Sequence, residues 1–291
     1  DDTKLKVNTP QYGWLDYFPT KKFMLTYDPV KIAADKSIPA KYLSRMDTVR
    51  WAIKGEAIEK NKLVVLDILA ANNWERPVYF EVNAGPDSYI GLEHTLFVEG
   101  LTCRILPVNA RINEGVTGEV NTDVLYDNLM NKFNLRNVYN KKVYLDEQNQ
   151  HLVLSYRNLF NRLADALIQE GKKDSARRVL DYCMSVFPDE VSHYDYFVPG
   201  LAECYYKTGD AQKADKICEH ILQLMDQDMN YLYSFPTAEL KSLDISIRED
   251  LMVLQRLGET VKESKNQALV KDVDSCFHKN WDFFTANVYQ R

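Results

Sequence analysis

The chain has 291 residues, of which 45% are hydrophobic and 27% are charged, as in an ordinary folded soluble protein. Its net charge of −6 and its pI near 5.5 exclude the basic face that nucleic-acid binding requires. No apolar run in the sequence approaches the length that spans a bilayer. The length allows two compact domains or one elongated domain.

Cysteine usage argues against a metal knuckle and against a disulfide framework. The five cysteines stand singly, without a C-x-x-C pair, and their number is odd. Most of them fall at apolar positions of predicted helices or strands, where a free cysteine behaves as a small hydrophobic residue. We therefore expect buried thiols.

Residues 1–110 are predicted to form a small α/β domain. Alternating apolar and polar residues predict strands, and apolar residues at helical spacing predict helices. The predicted order is strands at 22–27 and 48–53, a helix at 57–72, a strand at 77–82, a helix at 92–98 and a strand at 101–108. The strands at 79–82 and 101–106 are expected to be parallel neighbours.

Residues 111–147 are predicted to be a linker and a connecting helix. The stretch 109–123 is polar and has no periodicity, whereas Asn121 or Thr122 is placed to cap a helix that runs to Phe133. Residues 148–291 are helical throughout and are predicted to form the second domain. The predicted fold class is α+β, a small α/β layer followed by an all-α tetratricopeptide-like array.

A repeat of 38 residues supports that array. The first copy matches the tetratricopeptide pattern at Phe160, Leu163, Ala164, Leu167, Gly171, Ala176, Leu180, Cys183 and Pro188. The second copy matches it at Val198, Leu201, Ala202, Tyr205, Gly209, Ala214, Cys218 and Ile221. Small side chains let paired helices approach closely, and glycine ends a helix in the left-handed conformation. A degenerate third unit around 251–258 is expected to cap the array, and the helix through Trp281 to seal its end.

Two strings carry a family resemblance: N-W-x-R-P-[IV]-Y-F at 73–80 and L-x-x-E-G-L-x-x-R-[IL]-[VL]-P at 96–107. With them, the chain resembles the C-terminal region of a family of bacterial multi-pass membrane proteins, domain of unknown function 2723. The membrane part of that family is similar to protein O-mannosyltransferases. The resemblance implies a domain attached to a transferase that uses lipid-linked sugars. It implies no catalytic residue here, because the membrane part that holds the catalytic acid is absent.

The segment 72–85, NNWERPVYFEVNAG, has a structural and a functional interpretation. Its polar residues precede the strand, whereas ligands of α/β sheets bind beyond the carboxyl ends of strands. The favoured interpretation is a helix-to-strand corner, in which Asn72 and Asn73 end the helix, Trp74 packs on the core and Pro77 starts the strand.

The loop 85–94 follows that strand and is the candidate ligand site. We expect Gly85, Asp87, Ser88 and Tyr89 to form it, since free amides before a helix hold a phosphate or carboxylate. The alternative is that Asp87 or Ser88 caps the turn internally.

Tyr194, Tyr196 and Tyr206 are the candidate protein-binding residues, because aromatic residues on the concave face of a helical array contact peptides or sugars. Packing between helices is the competing interpretation. The sequence shows neither an H-E-x-x-H nor a G-x-S-x-G motif, and Glu93 and His94 diverge on their predicted helix. We therefore expect no catalytic residue, no metal site and no cofactor.

The favoured function is a non-catalytic interaction or scaffolding domain that binds a partner or acceptor polypeptide. The alternative is an accessory domain that binds carbohydrate or lipid-linked sugar through the loop 85–94. No nucleic-acid partner is expected, and a membrane is involved only through upstream segments. The resemblance places the domain on the periplasmic face of the membrane.

Overall fold

The computed structural model describes residues 5–17, 20–55, 58–112 and 115–289. The chain divides into two compact units, Asp1–Leu125 and Tyr126–Arg291. The first unit contains the sheets and the second is helical, so the predicted α+β class is confirmed.

Within its described residues, the first unit contains three small sheets. Two of them are antiparallel pairs, and the third has four strands in the order β5-β7-β6-β8. The strands are β1 Leu5–Thr9, β2 Gly13–Tyr17, β3 Lys22–Leu25, β4 Val49–Ala52, β5 Tyr79–Glu81, β6 Leu96–Val98, β7 Thr102–Ile105 and β8 Glu119–Val120. β1 pairs with β2 and β3 pairs with β4, while β6 and β8 run parallel.

Two predictions about the four-stranded sheet are wrong. Residues 92–98 do not form a helix: a 3₁₀ turn at Glu93–Thr95 leads into strand β6. Its three residues are all buried, and periodicity cannot separate so short an apolar run from a helix. Strands β5 and β7 are neighbours but antiparallel, because β6 and β7 form a hairpin that returns the chain alongside β5.

Four helices of the described residues lie between and after these strands in the chain. They are α1 Pro29–Ala34, α2 Ala40–Leu43, α3 Lys60–Asn72 and α4 Thr122–Asp127, which crosses the division after Leu125 and continues as a π-helical turn to Lys132. The predicted start of α3, at residue 57, lies outside the described residues. Ile32, Tyr42 and Phe97 belong to a buried cluster that α1, α2 and β6 share.

The corner at 72–77 forms as the structural interpretation predicts. Asn73 caps α3 in the left-handed conformation (φ 43°), and Trp74 also has a positive φ of 59°. The Asn72 side chain accepts from the Arg76 amide (3.1 Å) and donates to the Arg76 carbonyl (2.8 Å). Trp74 packs on the buried cluster and donates its Nε1–H to the Thr26 carbonyl at 2.7 Å.

The polar stretch 109–123 is not wholly a linker. Its residues Glu119–Val120 form β8, beside β6. Arg45 holds this strand with a bidentate ion pair to Glu119, at 2.8 and 2.7 Å. Glu119–Val120 therefore belong to the first compact unit, in which a tertiary ion pair holds a segment that has no periodicity of its own.

The second unit is a series of antiparallel helix pairs. Its helices are α5 Glu147–Gln169, α6 Lys173–Val186, α7 Val198–Thr208, α8 Ala211–Leu232, α9 Thr237–Leu240, α10 Asp244–Thr260 and α11 Gln267–Asn287. The main pairs are α5 with α6, α7 with α8 and α10 with α11, and the first helices of successive pairs also pack together.

The repeat positions predicted from the sequence form the core of these pairs. Phe160, Ala164, Val198 and Ala202 are each 0% exposed. Gly171 and Gly209 have φ of 77° and 92°, so the predicted left-handed helix ends are confirmed. A helical repeat-like region therefore follows the sheet unit.

Candidate functional site

The loop that contains Gly85, Asp87, Ser88 and Tyr89 is one 3₁₀ turn, Pro86–Tyr89, preceded by Gly85 with φ 81°. The Ser88 hydroxyl donates to the Ala84 carbonyl (2.7 Å), and the Tyr89 hydroxyl donates to the Val82 carbonyl (2.9 Å). Both hydroxyls therefore stabilise the turn itself, and Asp87 stays exposed. The sugar-binding role of this loop remains a prediction.

The three candidate tyrosines of the second unit face different neighbours. Tyr194 packs edge-on against the His220 ring at 5.4 Å, and burial raises its pKa to about 12. Tyr206 donates to the Asp215 carboxylate at 2.6 Å. Tyr196 is 44% exposed, so it is the tyrosine of the three that presents an open aromatic ring.

A buried arginine fixes the loop that carries Tyr194 and Tyr196. Arg157, in α5, is 1% exposed. It donates to the Phe187, Ser192 and His193 carbonyls and, at 2.6 Å, to the Asp195 carboxylate. Arg157 is not among the residues predicted from the sequence. The sequence indicates it only as an arginine three positions before Phe160, inside the apolar stripe of α5.

The first helices of the three pairs share a row of ion pairs, here called the charge ladder. Lys207 of α7 contacts Asp165 of α5 at 3.2 Å and Glu203 at 2.8 Å. Arg256 of α10 contacts Glu203 at 2.5 Å and Glu259 at 2.9 Å. Burial lowers the pKa of Lys207, but the hydrogen bonds to Glu203 and Asp165 raise it by more. The pKa of Lys207 therefore lies above its ordinary value.

Tyr196 lies two residues before the start of α7, the helix that carries Glu203 and Lys207 of the charge ladder. The ladder side chains are all partly accessible, from 24% to 53%. The charge ladder therefore presents paired charges at the surface of the helical unit.

The four-stranded sheet of the first unit contains a second polar cluster. Glu99, 5% exposed, accepts from Asn121 Nδ2 at 2.8 Å and from the Tyr79 hydroxyl at 3.2 Å. Burial raises the pKa of Glu99, although both hydrogen bonds oppose that shift.

Arg104, 4% exposed, lies on the neighbouring strand β7. It donates to the Ser37 hydroxyl at 2.9 Å and to the Asp35 carboxylate at 3.1 Å. Arg104 and Glu99 are the two charged residues of the string at 96–107, and the sequence reasoning assigned neither a role. The feature of the sequence that indicates Arg104 is its position as a charged residue inside an otherwise apolar strand.

The two family strings meet around one narrow cavity, here called the Arg104 cavity. Its volume is about 20 Å³. Asn72, Trp74 and Arg76 of the corner line it together with Asp35 and Arg104. The sequence predicts a site after strand β5, from Gly85 onward. In the structure, polar residues also lie together at the corner that precedes this strand.

No disulfide joins the cysteines of the described residues; four of the five are buried and Cys276 is partly exposed. Burial raises the pKa of Cys183, Cys204 and Cys218 to about 12 each. Among the described residues, no group of His, Cys, Asp or Glu is arranged to hold a metal ion. Within the same ranges, no helix has the length and apolar character to cross a bilayer.

Fold and sites define a chain of two parts, a mixed α/β unit with a buried polar network and an array of helix pairs. Residues 1–124 match the family model described as TMEM260-associated domain 2. The match covers less than half of the 291 residues and ends one residue before the end of the first unit. Both family strings lie inside it. No curated protein and no solved structure matches the chain.

Proposed function

We propose that this chain is a non-catalytic interaction domain of a membrane-bound, glycosyltransferase-like protein. In this proposal its helical unit binds a partner or acceptor polypeptide. The description of the matched family associates residues 1–124 with a transmembrane protein. The resemblance of the two strings to an O-mannosyltransferase-like family supports the transferase context.

The observation that carries the proposal is the face shared by α5, α7 and α10. Stacked helix pairs create extended surfaces that bind other chains. On this face the ion pairs of the charge ladder already hold its side chains in place. Binding a partner would therefore cost little side-chain conformational entropy. Tyr196 supplies an exposed aromatic ring of the type that dominates binding energy at interfaces.

Site-specific photo-crosslinking in the full-length membrane protein tests this proposal. A photoreactive phenylalanine analogue would replace Tyr196 and, as a matched control, Tyr231, which is 65% exposed on α8. We expect a discrete protein adduct from position 196, and we expect position 231 to lack it. Tyr196→Ala should reduce the yield of the same complex about tenfold or more, as expected for an aromatic hot spot.

Adducts that are identical at both positions, or absent from position 196, would refute the assignment of this face. A parallel comparison of glycan transfer by the full-length protein with and without the domain tests the transferase context. Transfer that is unchanged without the domain would remove that part of the proposal.

We further propose that the domain lies on the periplasmic face. Free cysteines argue weakly for a reducing compartment, but the buried thiols Cys183, Cys204 and Cys218 have raised pKa values and are protected from oxidation. A reporter enzyme fused to the native C-terminus, active only in the periplasm, tests the placement. A fusion active only when cytoplasmic would reverse it.

A further inference from the structure

We propose that the Arg104 cavity binds the carboxylate group of a small molecule, with the buried Arg104 and the exposed Arg76 in its lining. The site is separate from the helical face and lies in the first unit. The inference rests on a buried donor, on the charge of the lining and on the size of the cavity.

The buried donor is the Nε–H of Arg104. The terminal nitrogens of this side chain donate to Ser37 and Asp35, but Nε is buried and meets no acceptor among the described residues. A buried donor of a charged group is costly when it is left without an acceptor. The cavity that Arg104 lines is therefore a place where an oxygen atom is favoured.

The charge of the lining distinguishes an anion from a water molecule. Asp35 is paired with Arg104 and accepts a hydrogen bond from the Ser37 hydroxyl at 2.6 Å, so the lining contains one carboxylate, already paired, and two guanidinium groups. The exposed Arg76 side chain has no ion pair in the part of the chain that the structure describes. The lining residues thus carry a net charge of +1, which a carboxylate neutralises and a water molecule does not.

The size and shape of the cavity favour a carboxylate. At about 20 Å³ it admits a group of one or two oxygen atoms but not a sugar ring. Guanidinium groups match the planar carboxylate geometry and bind it through paired hydrogen bonds. The rest of the ligand would lie outside, beside Trp74 and the exposed Arg76.

The test uses the whole chain and the ¹⁵N NMR signal of the Arg104 Nε–H group. Acetate and glucuronate are the probes, and glucose is the uncharged analogue of glucuronate. We expect both carboxylates to shift the Arg104 signal in a saturable manner, and glucose to leave it in place. Arg76→Gln should weaken the carboxylates about tenfold, the equivalent of one charge-assisted hydrogen bond.

Arg50→Gln is the matched control, because Arg50 is an exposed arginine of the same unit outside the cavity. It should leave both affinities unchanged. A signal that responds to neither carboxylate would show that water alone fills the cavity, and the proposal would fail. It would also fail if Arg76→Gln and Arg50→Gln had equal effects, or if glucose bound as tightly as glucuronate.

Discussion

At the residue scale, the buried ion pair of Arg157 and Asp195 holds the loop between α6 and α7. Arg157 is 1% exposed, and its partner Asp195 keeps 12% of its side chain exposed. A buried ion pair gains little overall stability compared with an apolar substitute of the same shape. Removal of one partner, however, leaves the other charge buried and unpaired, which is strongly destabilising. Arg157 therefore fixes the conformation of the loop between α6 and α7.

Arg157→Met should destabilise the protein by about 3–5 kcal/mol, because Asp195 loses its partner and three carbonyl groups lose their donor. Urea unfolding followed by far-UV circular dichroism measures the change. Arg178→Met is the control, since Arg178 is exposed and donates to the Ser175 hydroxyl at 3.1 Å within its own helix; its effect should stay within about 0.5 kcal/mol. Equal effects of the two substitutions would contradict the conclusion that Arg157 fixes the loop between α6 and α7.

Asp250, in α10, makes stability depend on pH. Burial raises its pKa to about 7, and repulsion from Asp228 and Glu249 adds to the shift. The folded protein then keeps this proton while the unfolded chain loses it near pH 4, its ordinary range. The folded state binds more protons between these values, so stability falls as pH rises from about 4 to about 7.

Asp250→Asn should remove this dependence, because asparagine resembles the protonated side chain. The variant should match the parent near pH 4 and exceed its stability by roughly 2 kcal/mol at pH 8, a value reduced for solvent screening. Unfolding midpoints across this range test it. Asp272→Asn, at an exposed carboxylate of α11, should leave the pH profile of the parent unchanged.

At the element scale, two glycines of the helical unit should respond to alanine with opposite signs. Gly209 ends α7 with φ 92°, where a Cβ costs about 1–2 kcal/mol. Gly258 lies inside α10 with an ordinary helical backbone, and an added Cβ would meet nothing within 4 Å. Alanine there removes conformational entropy from the unfolded chain.

Gly209→Ala should therefore lower the free energy of unfolding by about 1 kcal/mol, whereas Gly258→Ala should raise it by about 0.5–1 kcal/mol. Thermal unfolding of the two variants side by side measures both. Changes of the same sign would mean that the two positions do not differ in backbone requirement as the structure shows.

At the scale of the whole molecule, each unit contains a buried hydrophobic cluster, so each is expected to fold by itself. The core of the helical unit draws on residues from Val198 to Val288 and on the buried positions of α5 and α6. Residues 126–147 add to this unit through the edge-on contact of Phe133 with Tyr156, whose ring centroids are 6.1 Å apart, and through Asp146, which caps α5.

The fragment 126–291 should unfold cooperatively and be more stable than the fragment 148–291, which begins at the predicted boundary. The shorter fragment loses the Asp146 cap and the aromatic contact of Phe133, together about 1–3 kcal/mol. Urea titration of both fragments tests this. Equal stability would favour the boundary predicted from the sequence.

Part of the first unit was accessible from sequence. The corner at 72–77 was predictable because asparagine and proline have strong local backbone preferences. Strand β8 was not, because Glu119–Val120 is held by Arg45, 74 residues earlier. The Arg104 cavity was missed for the same reason, since Asp35, Arg76 and Arg104 come together only in the folded unit.

The sequence by itself determined the helical unit: the positions of its core residues, the two glycines that end helices and the pairing of adjacent helices. These depend on contacts between residues near one another in the chain, which periodicity and spacing report. Only the tertiary structure decided that residues 96–98 form a strand, that β5 and β7 are antiparallel and that Arg76 and Arg104 line one cavity. A period tells which face of an element is buried, but it does not tell which distant segment covers that face.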